Sequence, residues 1–187
     1  MSAFDPVRSF RKLAYNNALA NVRLYRACTL LQPGEFEAKR VSFFPSIKAT
    51  LNHILTVDWF YVDALEGGTL GLKAFDIEEP YDRLDELTRQ QADVDRRLVA
   101  FCEALTPENG MRIVDIQRGG RIQRERADDV LNHLFQHQTH HRGQVHAMLA
   151  GTSVAPPQLD EFVVADDARF RGDELATLGW DETKLMR

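Results

Sequence analysis

The sequence predicts an all-α fold, a four-helix bundle with a short β-hairpin before the last long helix and an irregular C-terminal extension. Three observations carry this expectation. Four segments repeat apolar residues at helical spacing. Glycines stand near the expected ends of three of them, at Gly34, Gly67-Gly68 and Gly151. A further pair, Gly119-Gly120, interrupts a stretch with neither a clean helical nor a clean strand period. At 187 residues the chain suits one domain over 1–187, its 151–187 segment packing on the bundle as an extension.

The first helix opens on Asp5-Pro6, an N-cap followed by proline in the first turn. Phe10, Leu13, Ala14, Ala18, Val22 and Tyr25 form its inward stripe, and "QPGE" should end it. The second runs through "SIKATLNHILTVDWFYVDALEG", with Ile47, Leu51, Ile54, Val57, Tyr61 and Leu65 inward and the Gly67-Gly68 pair as its stop. The next stretch, to Pro80, reads as a loop. Helix three, "YDRLDELTRQQADVDRRLVAFCEAL", buries Leu84, Leu87, Val94, Leu98, Phe101 and Leu105 and turns its charges to solvent. Residues 111–126 form the hairpin. Asp128 or Asp129 then caps helix four, which runs to Gly151. Beyond it lie an extended, proline-containing segment and a short helix around Asp166–Leu178.

Composition removes several classes of function. With 28 acidic against 23 basic residues and a net charge of −5, the chain has no field suited to nucleic acid. No apolar run is long enough for a membrane span, and the N-terminus lacks a signal peptide's apolar segment, so a cytoplasmic protein is expected. Cys28 and Cys102 lack metal or redox spacing and read as buried core thiols. In "WFY", residues 59–61, three successive rings cannot all face one core, which makes self-association plausible.

The chemistry is concentrated in "LNHLFQHQTHHRGQ", where His133, His137, His140 and His141 fall within nine positions. With steps of about 100° per residue, His137 and His141 lie on the flank of the apolar face, whereas His133 and His140 rotate away from it and His146 lies opposite. His137 and His141 are one turn apart, with β-carbons about 5–6 Å from each other, so both rings can hold one ion. The other reading of this pair is two partly buried imidazoles hydrogen-bonded within the core. His53, within "LNHIL", is the single histidine outside helix four and lies at the edge of the inward arc of helix two. A lone histidine there is more often a satisfied core residue, but with the facing pair it would complete three neutral imidazoles.

The stretches "FFPSIKATLNHILTVDWFYVDALEG" at 43–67, "VLNHLFQHQTHHRGQVHAMLAG" at 130–151 and "VAPPQLD" at 154–160 resemble the DinB-like family. These are bacterial four-helix-bundle metalloproteins that include bacillithiol-transferase-like members. The resemblance implies a divalent metal ion, zinc or nickel foremost and iron or manganese as alternatives, held by His53, His137 and His141. It also implies a homodimer and a small-molecule substrate, with a low-molecular-weight thiol as one candidate. His133 and His140 recur in such motifs without ligating. After "PPQLD" the chain departs from the family's aromatic-rich ending.

Three imidazoles leave a divalent ion its full charge and an open position, which suits two reaction classes: thiol S-transfer and hydrolysis. Hydrolysis wants a general base, and Gln138, following His137, cannot take a proton. Asp58 and Tyr61 could point to the bundle centre as orienting groups or as hydrogen-bonded core residues. Arg142 is expected to pair with a carboxylate, and Gly143 to permit close packing. A non-catalytic bundle whose metal clamps two helices, or a ligand-binding regulatory module, is the competing function.

Overall fold

The computed structural model describes residues 5–187. Four long helices carry the architecture: α1 (Arg8–Cys28), α2 (Ile47–Leu65), α3 (Leu84–Glu103) and α5 (Ala127–Leu149), with a single turn, α4 (Pro107–Gly110), between the third and the last. Helix α1 lies along α3 and α2 along α5, while α2 also meets α3 and α1 meets α5, which closes the bundle. No described helix is long and apolar enough to cross a membrane.

The caps explain where the helices begin and stop. Asp5 Oδ1 accepts the Val7 N–H at 3.0 Å, so the expected cap acts one turn before regular helix begins at Arg8. Helix α1 stops at Cys28, ahead of "QPGE", where the Thr29 hydroxyl donates to the Arg26 carbonyl at 2.7 Å. Its stripe also differs from expectation at Leu13, which is exposed, while Leu19 and Leu24 are fully buried. Ser46 caps α2 by accepting the Ala49 N–H at 3.0 Å. For α5 the cap position is Arg126; Asp128 and Asp129 lie in the first helical turn instead, where their charge suits the positive end of the helix.

The hairpin forms as expected. Strands β1 (Ile113–Gln117) and β2 (Ile122–Arg126) pair antiparallel, and the turn closes with Arg118 N–H donating to the Arg121 carbonyl at 2.9 Å. Gly119 and Gly120 have φ of 50° and 98°, the left-handed pair that a two-residue hairpin turn demands. Val114 and Ile116 of β1 are buried, and β1 packs against α2 and a 3₁₀ turn at Gly71–Phe75, so the hairpin is pinned beside the start of α5.

The expected short C-terminal helix is broken. A 3₁₀ segment (Ala165–Phe170) gives way to α6 (Gly172–Leu178), and a further short helix, α7 (Glu182–Met186), follows. The extension docks on α1 through Arg23, which donates to Glu174, to Glu161 and to the Gln158 and Phe170 carbonyls. Arg171, fully buried, is matched by Glu182. Cys28 and Cys102 are both buried, and burial pushes each thiol up to about 12, consistent with inert core residues.

Candidate metal centre

Helix α2 presents His53 towards α5, and α5 returns His137 and His141 from successive turns. The three rings converge: one nitrogen from each lies within 4.8 Å of the others. His53 Nε2 and His137 Nε2 are 3.0 Å apart. Metal–nitrogen bonds of about 2.0–2.1 Å at a tetrahedral ion would separate adjacent donors by roughly 3.3 Å, so the spacing fits a first-row divalent cation. The donor set contains no carboxylate.

The electrostatics favour neutral imidazoles. Burial pushes His53 down to about 4, helped by the neighbouring His141. Burial pushes His137 down to about 3, with His141 and the other histidines adding to the effect. His141 is also lowered by burial, against a hydrogen bond to Gln144 that acts the other way. Removing water disfavours a charged ring, and each ring makes its neighbours' protonation harder. Neutral rings are the form that ligates metal.

Two residues that the sequence reading did not single out shape the site. Gln144 Oε1 lies 2.9 Å from His141 Nδ1, which leaves the other ring nitrogen to face the cluster, and Gln144 Nε2 lies 3.1 Å from His140 Nε2. Its position, three residues after His141, was a usable signal. Phe44 packs over His53 with ring centroids 4.2 Å apart and over His141 at 5.5 Å. It comes from an irregular segment, whose course no helical period reports. His137 Nδ1 is buried and unpartnered among the described residues, unlike the corresponding nitrogen of His141.

The remaining candidates settle around this cluster. His133 and His140 are exposed, and His133 stands against Tyr61 with rings 5.2 Å apart. Of the "WFY" rings, Phe60 is buried, while Trp59 and Tyr61 are half-buried, Trp59 packing on Tyr81. Gly143 does not serve close packing: a β-carbon there would meet open space.

Behind the histidines lies a buried polar chain, in which Asp58 takes the inward place expected of it and Asp95, expected among the solvated charges of helix three, is buried. Gln138 turns into the core and donates to Asp58 Oδ1 at 3.0 Å, and Gln91 donates to Asp58 Oδ2 at 2.8 Å. Gln91 also reaches Asp95, which accepts from Asn17 and Asn21. Contrary to the expectation from sequence, Arg142 makes no direct pair with a carboxylate among the described residues. It donates to the side-chain oxygens of Asn17 and Asn21, whose amides in turn hold Asp95. Burial raises Asp58 to about 7, with Asp95 adding to the effect, and burial raises Asp95 to about 6. Asp58 is therefore a hydrogen-bonded core residue. Gln91 and Asp95 follow Leu87 at steps of four on the buried stripe of α3, a placement that could have marked them as inward rather than solvated.

Comparison with known proteins adds three findings. The model of the DinB family matches residues 4–174. "Protein DinB" of Bacillus subtilis strain 168 is 26% identical over 152 residues, covering 78% of this chain and 88% of that protein. Two crystal structures share the fold. A DinB-like protein from Bacillus cereus ATCC 10987 has a TM-score of 0.54 at 18% identity, over 77% of this chain and 91% of that one. A DinB-like protein from Bacillus subtilis has a TM-score of 0.53 at 17% identity, over 79% and 92%.

Proposed function

Because this chain belongs to the DinB family, we propose that it holds one divalent metal ion on His53, His137 and His141 and is a metal-dependent enzyme that transfers a small thiol to an electrophile. The convergence of three nitrogen donors from two helices within 4.8 Å carries this reading. A divalent cation there would lower the pKa of a thiol placed beside it and so supply a thiolate at neutral pH.

The chain's own groups define the rest. The imidazoles are uncharged, so they leave the cation's charge available to an anionic sulfur. Gln144 fixes the ring of His141, and Phe44 shields His53 and His141 with an apolar face. In the proposed reaction sulfur forms a bond to an electrophilic carbon, the leaving group departs with the bonding pair, and the thiol proton passes to solvent. Hydrolysis is the weaker reading, because Gln138 points into the core and Asp58 is engaged by Gln91 and Gln138.

The test is metal analysis of protein purified without a polyhistidine tag, then a thiol screen against model electrophiles with zinc-, nickel-, iron- and manganese-loaded samples, since affinity order alone does not identify the working metal. About one ion per chain, lost in His137→Ala together with thiol-dependent turnover, is the expected result. Bound metal with no turnover for any thiol, and a large fall in melting temperature on chelation, would instead establish a metal-clamped bundle without catalysis.

A further inference from the structure

One turn before His137 on α5, a cavity of about 390 Å³ opens between the helix and the hairpin. Tyr61 and His133 line it; the His133 ring lies 6.4 Å from that of His137, so the cavity adjoins the histidine cluster. The hairpin contributes Arg118, Gln123 and Glu125 to its lining, and α5 contributes Asp129.

Arg118 is half-buried, its guanidinium 4.7 Å from the Phe60 ring centroid. Its Nε donates to Gln123 Oε1 at 2.8 Å, while Gln123 Nε2 donates to Glu125 Oε1 at 2.9 Å. One amide thus grips a cation and an anion at once and holds them apart. Two other hairpin arginines are neutralised, Arg124 by Asp115 and Arg126 by Asp128, whereas Arg121 in the turn has no ion pair among the described residues but does not line the cavity. Arg118 has no ion pair among the described residues, and neither has Glu125. Each keeps free hydrogen-bonding capacity, the Nη groups on one and Oε2 on the other. A fixed cation and a fixed anion set side by side without contact match a ligand that carries both charges in the opposite sense.

We infer that this cavity binds the head of a zwitterionic, amino-acid-like thiol, its carboxylate on Arg118 and its ammonium on Glu125 and Asp129, with the thiol directed past His133 to the three histidines. The inference rests on the thiol reading of the metal centre and adds the substrate class. Arg118 suits the carboxylate because a guanidinium offers two parallel donors to its two oxygens. Aromatic packing on Phe60 and the hydrogen bond from Gln123 pre-position those donors, which reduces the ordering that binding demands.

The experiment uses the full chain loaded with cobalt(II), whose thiolate charge-transfer absorption reports sulfur at the metal directly. Two probes are titrated: γ-glutamylcysteine, whose glutamyl ammonium and α-carboxylate sit at the end remote from sulfur while its second carboxylate lies beside the thiol, and 2-mercaptoethanol, which has no charged head. The wild type should bind the first at least tenfold more tightly than the second. Arg118→Gln and Glu125→Gln should each reduce that ratio about tenfold while leaving 2-mercaptoethanol unchanged. Gln123→Met should do the same without removing a charge, and melting temperatures identify any variant that has merely lost its fold. If 2-mercaptoethanol binds but the zwitterionic thiol shows no advantage, or the variants leave its advantage intact, the subsite is wrong and the thiol reading stands. If neither probe produces the absorption band, the thiol reading fails and the subsite fails with it.

Discussion

His53 and His137, separated by 84 positions in sequence, bring their Nε2 atoms to 3.0 Å from each other. The pair joins α2 to α5 at the level where His141 completes the cluster. Two bare ring nitrogens at this distance share a hydrogen or share an ion, and either arrangement makes the site sensitive to whatever orients the rings.

Orientation of His141 depends on Gln144. Removing the partner of a ligand's second nitrogen typically reduces metal affinity about 10–100-fold. Gln144→Ala should therefore weaken zinc binding by that factor in competition titrations with a chromophoric chelator, and Gln144→Glu should restore it. His140→Ala, which touches Gln144 from the exposed side, should change affinity by much less. Unchanged affinity in Gln144→Ala would show that His141 needs no such support.

Acid should destabilise the metal-free protein through the same rings. His53 and His137 stay neutral in the folded chain down to about 4 and about 3, whereas unfolded imidazoles take up protons below about 6.5. The unfolded state thus binds more protons across this window, so the stabilisation is complete above the unfolded value and is lost as pH falls through it towards the folded values. The melting-temperature difference between wild type and His137→Ala, both metal-free, should shift steadily against the wild type from pH 7 to pH 4. A pH-independent difference would contradict the burial of these imidazoles.

The buried carboxyls act in the opposite direction. Asp58 is raised to about 7, so between its ordinary value and pH 7 the folded chain holds a proton that the unfolded chain has released, and stability falls as pH rises. Asp58→Asn should raise the melting temperature at pH 8 by a few degrees, about 1–2 kcal/mol, with the gain shrinking towards pH 4. Its amide can also donate to Gln91 Oε1 or Gln138 Oε1, both unpartnered among the described residues. Arg142→Met should have the reverse effect. Removing the cation that faces Asp58 and Asp95 leaves them uncompensated at a cost of roughly 3–5 kcal/mol, a fall of about 10 °C by calorimetry at pH 8.

Much of the molecule was legible because amphipathic helices encode their own orientation. Leu51, Ile54 and Val57 on α2, and Leu131, Leu134 and Val145 on α5, are buried as their spacing requires. The hairpin was legible for a different reason, since Gly119-Gly120 satisfies a backbone geometry that few other residues tolerate. Leu13, Gly143 and the solvated reading of Asp95 went the other way. A wheel assigns each residue an angle, but whether that angle meets solvent depends on neighbours that the wheel does not contain. Helix α1 is covered on more than one side, with the C-terminal extension docked along it through Arg23.

From the sequence by itself came the helices, the hairpin, and the choice of His137 and His141 as rings one turn apart on a buried flank, because periodicity reports direction around a single helix axis. Only the tertiary structure decided that His53 stands at the same height, that Phe44 and Gln144 hold the rings, and that Arg142 reaches Asp95 through asparagines. Height along a bundle and the partners of a buried charge follow from how side chains of several helices interlock at close packing, and no one segment carries that information alone.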